Sequence, residues 1–410
     1  MIPALMLAAV LASPAQSADL PIQIGQRERV AFFGDSISEP GEGSWTLLVE
    51  SAIRARLPHS QAVFRNRSQR GATVDNGDTR MVKELSAWKP TLIFSCLGMN
   101  DAFLTATGYT SATAYANACR RQAAAAKKMG ARIVFISPPG FNAEASRLKP
   151  TITYSNPGQG KVANPPPRNP DEVNDILAAY TRELVSVGVE TGSPVIDLCT
   201  PTIAAIRRAT HPLLAAALAP DSVHPSPSGN LLIALIVLRR LDLAPLAIGI
   251  SGSATGPITA TGTILSRVRA SARGIEFTVR LPIQPMYYPP KARLAPVLFD
   301  GEEDFNGFTL SVTGWDSTAN IALKVGGKKV ASFSGAELAA GIDLNTVDSA
   351  PWAIRGRKLL DAVRLGSGHP KWMELVAGIR APRGEPPQPA GFTGPVSYRI
   401  TIEPENTVKK

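Results

Sequence analysis

The chain has 410 residues, which is long enough for two or three domains of ordinary size. Its 43 basic and 33 acidic side chains give a formal charge of +10, and the charges are spread along the chain rather than gathered into one tract. Because the sequence has no basic run with interleaved aromatic residues and no recognisable nucleic-acid-binding module, its composition argues against a nucleic-acid-binding protein.

Residues 1–18, MIPALMLAAVLASPAQSA, form an apolar stretch that ends in small residues and resembles a secretory signal peptide. No Lys or Arg precedes the apolar run, so a misassigned start and a buried N-terminal helix stay open as alternatives. No later apolar run reaches the ~18 uncharged residues expected of a membrane span. The sequence therefore predicts an exported protein, periplasmic or extracellular, without a transmembrane span.

Short apolar stretches and helical patterns alternate over residues 29–243. The strand candidates are Val30–Phe33, Ala62–Asn66, Leu92–Leu97, Arg132–Ser137 and Pro194–Leu198. The helix candidates are Trp45–Arg56, Met81–Ala87, Ser111–Met129, Asp171–Val187 and Leu231–Arg240. Continuous apolar strands are typical of sheets that are buried on both faces. Their alternation with helices predicts a parallel sheet between two layers of helices.

The connection between Ser137 and the helix start at Asp171 is much longer than the others and is rich in Pro and Gly. Connections of this length are uncommon in compact domains unless they are functional or disordered. We expect this one to form a wall or lid over a site.

The composition shifts to Gly, Ser and Thr around residues 249–262, and most patterns beyond this point are those of strands. Alternating runs occur at Ile275–Leu281, Phe308–Val312, Ile321–Val325, Lys328–Phe333 and Ser397–Ile402, with a helical pattern at Leu359–Arg364. Gly326 and Gly327 join two of these runs and predict a hairpin with a two-residue turn. The sequence thus predicts three parts: a signal peptide at 1–18, an α/β domain at 19–248 and a smaller β-rich domain at 249–410.

Four short motifs contain residues that acyl transfer requires. Ser36 follows the first strand candidate, Gly71 and Asn100 follow the second and third, and Asp221 precedes His224 by three positions. A serine hydroxyl becomes a useful nucleophile when an imidazole accepts its proton and a third group orients the imidazole. The backbone N–H groups of Ser36 and Gly71 and the side-chain amide of Asn100 could stabilise the oxyanion. Because ligands of open α/β sheets bind at the carboxyl ends of the strands, we expect these residues to converge there.

The four motifs, in this order, resemble the four sequence blocks of the SGNH or GDSL-type esterase and lipase superfamily. They are GDS at 34–36, NRSQRG at 66–71, GMND at 98–101 and DSVHP at 221–225. The resemblance covers about the first 245 residues and implies a flavodoxin-like three-layer α/β/α domain. It also implies roles for five residues: Ser36 as nucleophile, His224 as base, Asp221 behind His224, and Gly71 and Asn100 in the oxyanion hole with the N–H of Ser36.

Two positions depart from the family pattern, and three acidic residues need separate interpretation. Ile37 replaces the usual Leu after the serine, and Ser68 stands where the second block often has Gly; neither change removes a reacting group. The resemblance implies chiefly structural roles for Asp35 and Asp101. Asp197, at the end of a strand candidate, is a competitor of Asp221 for the third position of the triad.

The cysteines Cys96, Cys119 and Cys199 are odd in number and have no C-x-x-C spacing, which argues against a thiolate metal site. Buried inert thiols are the expectation for Cys96 and Cys199, and one disulfide stays open. We expect no cofactor and no metal.

The sequence as a whole predicts an exported serine esterase that acts through an acyl-enzyme on a carboxylic ester. A carbohydrate O-acetylesterase is the first choice, because a secreted domain of this type followed by a β module resembles polysaccharide-acting esterases; its partner would be an acetylated carbohydrate. A lipase, lysophospholipase or thioesterase is the second choice. An O-acetyltransferase and a noncatalytic envelope-binding protein are further alternatives. The acyl group, the alcohol and the oligomeric state are left open.

Overall fold

A computed structural model of the chain describes residues 21–41, 43–103, 109–148, 169–271, 274–299, 303–366 and 395–405. The predicted signal peptide and residues 149–168 of the predicted lid lie outside these ranges. In the part of the chain that the structure describes, no helix is both long enough and apolar enough to cross a membrane.

Five parallel strands form the first sheet, in the order β2-β1-β3-β4-β5. They are β1 (Arg29–Gly34), β2 (Val63–Asn66), β3 (Leu92–Cys96), β4 (Arg132–Ile136) and β5 (Val195–Ile196). β5 is shorter than its predicted range, Pro194–Leu198, because the hydroxyl of Ser137 accepts the N–H groups of Leu198 and Cys199, at 2.9 and 3.2 Å. The chain therefore leaves the sheet ladder after Ile196.

Helices cover both faces of this sheet. They are α1 (Trp45–Arg56), α2 (Gly77–Leu85), α3 (Met99–Phe103), α4 (Ala112–Lys128), α5 (Ala143–Leu148), α6 (Pro170–Thr191), α7 (Cys199–Arg208), α8 (Pro212–Ala216) and α9 (Pro227–Leu238). α1 packs against α9, whereas α2, α4 and α6 pack against one another in succession, which gives the two outer layers. The strand order and the layers confirm the predicted flavodoxin-like α/β/α architecture.

Local sequence explains where the longer helices begin and end. The hydroxyl of Ser111 accepts the N–H of Ala114 at 3.2 Å and caps the start of α4, and Gly130 follows the helix with a φ of +73°. α6 begins with Pro170 at its first position and ends at Thr191, where the next residue, Gly192, has a φ of +68°. The second helix begins at Gly77, four residues before the predicted start at Met81.

The remaining described residues form two more sheets and a few helices. The strands are β6 (Leu246–Ser253), β7 (Ile258–Thr261), β8 (Leu265–Ser271), β9 (Gly274–Leu281), β10 (Gly307–Thr313), β11 (Asn320–Val325), β12 (Lys328–Ser334), β13 (Ile342–Asp343) and β14 (Val396–Pro404). The helices are α10 (Leu294–Leu298), α11 (Glu303–Asn306), α12 (Gly335–Ala340) and α13 (Pro351–Gly366). The sheet orders are β13-β10-β6-β7 and β12-β11-β14-β9-β8.

The predicted hairpin is present, because β11 and β12 pair antiparallel around Gly326 and Gly327. Both glycines have positive φ values, +60° and +83°, as a tight hairpin turn requires. The boundary predicted between residues 248 and 249 falls inside β6, which already begins at Leu246.

The β-rich part packs against the α/β part through the segment between β9 and β10, which contains the short helices α10 and α11. Met286, Tyr288 and Phe305 of this segment are buried in the same core cluster as the first sheet. Arg56, at the end of α1 and 4% exposed, donates hydrogen bonds to the carbonyl of Phe305 at 3.1 Å and to Oδ1 of Asn306 at 2.9 Å. Burial lowers the pKa of Arg56 to about 10.

A second contact joins α1 to α13. Leu47 and Ala55 of α1 form a small buried cluster with Leu359 and Val363 of α13. The two parts of the chain therefore share continuous buried surface.

Candidate active site

Ser36 lies at the carboxyl end of β1, at the first position of a single 3-10 turn, Ser36–Ser38. Asp35 caps this turn, because its Oδ1 accepts the N–H of Ile37 at 2.9 Å. Gly34 makes the tight turn possible: a Cβ at this position would lie 2.7 Å from both the carbonyl oxygen of Cys96 and Oγ of Ser38. The end of a buried central strand is thus shaped to present a half-buried hydroxyl.

His224 and Asp221 lie on one short loop before α9. Oδ1 of Asp221 accepts the backbone N–H groups of Val223 at 3.0 Å and of His224 at 2.7 Å, and its Oδ2 lies 2.7 Å from Nδ1 of His224. Ser222 between them has a φ of +73°, a strained conformation for a serine. Its carbonyl accepts the N–H of Asn142 at 2.9 Å, which ties the loop to the segment after β4.

The imidazole joins this loop to the nucleophile candidate, since Nε2 of His224 lies 2.9 Å from Oγ of Ser36. The hydrogen bond with Asp221 raises the pKa of His224, and this effect outweighs burial, which lowers it. Burial raises the pKa of Asp221, but hydrogen bonds from the His224 ring and backbone outweigh burial and bring its pKa below the usual value. Asp221 therefore stays a carboxylate beside an imidazole of increased basicity.

The two oxyanion-hole candidates lie on the loops after β2 and β3. Gly71 has a φ of +70°, which glycine adopts without strain. Asn100 is 4% exposed, and its Nδ2 donates one hydrogen bond to the carbonyl of Ala72 at 2.8 Å. This bond links the Asn100 amide to the residue after Gly71, and among the described residues no acceptor is found for the second N–H of that amide.

Sheet order explains why these loops meet. β1 and β3 are neighbours in the order β2-β1-β3-β4-β5, so the chain runs outward to β2 on one side and to β4 and β5 on the other. Ligands of such sheets bind in the crevice at this topological switch point, outside the carboxyl ends of the strands. Ser36 follows β1 and Asn100 follows β3, which places both residues at the crevice.

The buried acidic residues support the site rather than line it with charge. Asp101 is fully buried and accepts the N–H of Val74 at 3.0 Å, which fixes the loop after Gly71. Burial raises the pKa of Asp101 to about 6 and that of Asp35 to about 7. The half-buried Asp197 accepts the N–H of Thr200, in the first turn of α7, at 3.1 Å, and it is Asp221 that contacts the imidazole.

Arg80, on α2, is a residue of the site that the sequence did not indicate. Its side chain is 9% exposed, and its guanidinium lies 3.8 Å from the ring centroid of Phe33 and donates to the carbonyls of Gly34 at 3.0 Å and Arg67 at 2.8 Å. It thereby connects the end of β1, two residues before Ser36, to the loop that follows β2. The sequence feature that could have indicated Arg80 is its position beside apolar residues on one face of an amphipathic helix.

The three cysteines are buried and free. Burial raises the pKa of Cys119 and of Cys199 to about 12, and raises the pKa of Cys96 still further. Their thiols are therefore unreactive, as expected for Cys96 and Cys199. Within the described residue ranges, no three His, Cys, Asp or Glu side chains come together as a candidate metal site.

Comparison with known proteins gives a consistent assignment. Residues 32–232 match the model of the GDSL-like lipase/acylhydrolase family, a range that contains all four motifs. An acetylxylan esterase of Geobacillus stearothermophilus is 26% identical over 239 residues, covering 54% of this chain and 96% of that protein.

Solved structures extend the comparison. A gut microbial diltiazem-metabolizing enzyme matches 88% of this chain and 83% of its own, with a TM-score of 0.63 and 16% identity, which is a likeness of fold. The crystal structure of an acetylxylan esterase from Geobacillus stearothermophilus matches 54% of this chain and 97% of its own, with a TM-score of 0.42 and 20% identity.

Proposed function

We propose that this chain acts on O-acetyl groups of carbohydrates. Through its α/β part it belongs to the GDSL-like lipase/acylhydrolase family, and it is a carboxylic ester hydrolase. The observation that supports the acetylated carbohydrate is the similarity to an acetylxylan esterase over 96% of that protein's length. The observation that supports the residue roles is the chain of hydrogen bonds from Asp221 through His224 to Ser36.

In the proposed mechanism, Oγ of Ser36 attacks the carbonyl carbon of the acetyl ester while Nε2 of His224 accepts the hydroxyl proton. Asp221 stabilises the imidazolium that forms. The backbone N–H groups of Ser36 and Gly71 and the amide of Asn100 donate to the oxyanion, and one such donor lowers the barrier by roughly 3–4 kcal/mol. His224 then protonates the departing sugar oxygen as the ester C–O bond breaks, which releases the sugar hydroxyl. Water next attacks the acyl-enzyme as His224 accepts its proton, and His224 returns a proton to Oγ of Ser36 as acetate leaves.

The proposal is tested by comparing substrates on the full chain. Acetylated xylo-oligosaccharides, aryl acetate, aryl octanoate and a lysophospholipid are incubated with wild type and with Ser36→Ala as the blank. We expect the highest kcat/KM on an acetylated sugar and a fall between acetate and octanoate. A preference for octanoate or lysophospholipid would overturn the carbohydrate assignment while leaving the esterase chemistry intact.

The same experiment separates hydrolysis from transfer. The product of hydrolysis is free acetate, whereas an O-acetyltransferase would move the acetyl group to an added sugar acceptor. We expect free acetate at one equivalent per ester cleaved, with the acceptor unmodified.

A lipid ester is the second candidate substrate, because two leucines are exposed on a helix that is hydrogen-bonded, through Asn142, to the loop of His224. Leu213 and Leu214 of α8 are 64% and 42% exposed, and the side chain of Asn142 donates to the carbonyl of Ala215 in the same helix. Since the backbone N–H of Asn142 also holds the loop of His224, α8 is connected to the site. Replacing both leucines by Ser would lower turnover of octanoate selectively if this candidate is correct.

We also propose that the protein is exported, on the basis of the apolar segment at residues 1–18. Expression of the full sequence in a bacterial host, followed by N-terminal sequencing of the accumulated protein, tests this. We expect a mature chain that begins near Asp19.

A further inference from the structure

A cavity of about 490 Å³ lies in the β-rich part, between the β11–β12 hairpin and the N-terminal half of α13. Its apolar walls are formed by Val325 and Val330 of the hairpin and by Pro351 and Ile354 of the helix. This volume is in the range of small-molecule sites. The cavity is separate from the site around Ser36, since it shares none of the residues described there.

Three cationic side chains surround these apolar walls. Lys328 comes from the hairpin, and Arg355 and Lys358 come from α13; no acidic residue is part of the lining. The hydroxyl of Ser349 adds a polar group at the rim, where it donates to the carbonyl of Val330. The positive end of the α13 dipole lies near Pro351 and favours negative charge there. The first turn of this helix has no acidic residue that would neutralise it.

The charges of Lys328 and Lys358 are not compensated by carboxylates of the described residues. Lys329, the next residue on β12, pairs with Glu405. Among the described residues, neither Lys328 nor Lys358 takes part in an ion pair. The charges of Lys328 and Lys358 are therefore exposed beside the apolar walls of the cavity, whereas the neighbouring Lys329 is paired with Glu405.

We propose that this cavity binds a carboxylate-bearing sugar, such as a uronic acid unit of a polysaccharide. The carboxylate would accept hydrogen bonds from Lys328, Arg355 and Lys358, and hydrogen bonds to charged groups are the strong ones. The C–H face of the sugar ring would lie on Val330 and Ile354. The inference goes beyond the ester hydrolase activity, because it assigns a binding site for an acidic glycan that needs no ester bond.

The test measures binding of unacetylated sugars by calorimetry on the full chain. The probes are tetragalacturonate, neutral xylotetraose and inorganic phosphate. The test variant is Lys328→Gln with Lys358→Gln, which removes two exposed charges and leaves Arg355, which also interacts with Tyr398, in place. The control variant is Lys127→Gln with Lys128→Gln, two exposed lysines at the end of α4 that remove the same charge from the α/β part.

We expect tetragalacturonate to bind wild type and the control variant equally, and the test variant about tenfold more weakly. Xylotetraose and phosphate should bind wild type at least about tenfold more weakly than tetragalacturonate. Turnover of aryl acetate should be the same in all three proteins, so failure of this site is distinguishable from failure of the esterase.

Four results would overturn the proposal. They are no heat of binding at millimolar tetragalacturonate, equal affinity for xylotetraose, equal weakening in the test and control variants, and phosphate affinity equal to that of the sugar acid. The last result would identify a site for small oxyanions instead of a sugar.

Discussion

Nε2 of His224 lies 2.9 Å from the hydroxyl oxygen of Ser36, a residue 188 positions earlier in the chain. Replacing Ser36 with Ala should lower kcat on an aryl acetate by roughly 10⁴-fold or more, because the proposed nucleophile is lost. The fold should remain, since the removed hydroxyl is only half-buried and its partner His224 is partly exposed. His224→Ala should be nearly as severe, and the double variant should be no worse than either single one. Additive losses would show that the two residues do not share a step.

Asn100→Ala should lower kcat by roughly 10²–10³, with a smaller change in KM, because an oxyanion donor acts mainly in the transition state. The measurement is steady-state kinetics together with a melting curve, since the Asn100 amide also supports the loop of Gly71 through the carbonyl of Ala72. An effect on KM alone would reassign Asn100 to binding of the ground state.

Asp221→Asn should change the pH dependence of kcat/KM. The proposed base, His224, would act as neutral imidazole, so activity should rise as pH passes the pKa of His224, which Asp221 raises above its ordinary value of about 6.5. Without the negative charge this acid limb should move to lower pH, and the plateau should fall by roughly 10²-fold or more. Oδ1 of Asn can still accept the backbone N–H groups of Val223 and His224, so the loop should persist. An acid limb that stays in place would separate Asp221 from the titration of the base.

Arg80→Met should lower kcat by roughly 10–100-fold, because the end of β1 and the loop after β2 lose the guanidinium that joins them. Loss of the two hydrogen bonds should also destabilise the fold by about 1–3 kcal/mol, since the carbonyl of Arg67 loses its donor while that of Gly34 keeps only the N–H of Gln69. Arg80→Lys should be intermediate, as an ammonium is a poor match for two separated carbonyls.

A readout beyond stability is needed to assign a positioning role to Arg80. Added guanidinium at low millimolar concentration should restore part of the kcat of Arg80→Met and none of the kcat of Ser36→Ala. Arg121→Met, at an exposed arginine that pairs with Asp75 and Asp78, serves as the matched control and should behave as wild type. A fall in melting temperature without a fall in kcat would leave Arg80 as a structural residue.

A chain that ends after about residue 245 should fold poorly. It would lose the packing of Met286, Tyr288 and Phe305 on the α/β core and would expose the apolar surface of α1 that now contacts α13. Melting temperature and aryl acetate turnover, measured for both lengths, provide the check. Retained melting behaviour and turnover in the shorter chain would mean that the interface contributes little to stability.

The elements of the α/β part could be predicted because their signals are local. Continuous apolar runs mark strands buried on both faces, and Ser111 and Gly130 mark the ends of α4. The convergence of Ser36 and Asn100 follows from strand order alone, since residues at the carboxyl ends of neighbouring parallel strands lie close together.

Other features depend on contacts that no local pattern contains. Arg80 has a role only once two carbonyls from different loops are placed beside it, and Asn142 only once the His224 loop has folded onto it. The segment between β9 and β10 is rich in Pro and contains only two short helices, α10 and α11, so no long periodic pattern indicated that Met286, Tyr288 and Phe305 are buried in the α/β core. β5 ends at Ile196 because the hydroxyl of Ser137, the residue after β4, accepts the N–H of Leu198.

The position of β14 has a consequence for how the molecule acquires its fold. This strand is last among the described elements, yet it lies in the middle of its sheet and pairs with β9 on one side and β11 on the other. Ile402 pairs with Ile275, so a large loop must close before the sheet is continuous. Before β14 is in place, the sheet is divided into two hairpins, β8–β9 and β11–β12, each with one open edge that could pair with another chain.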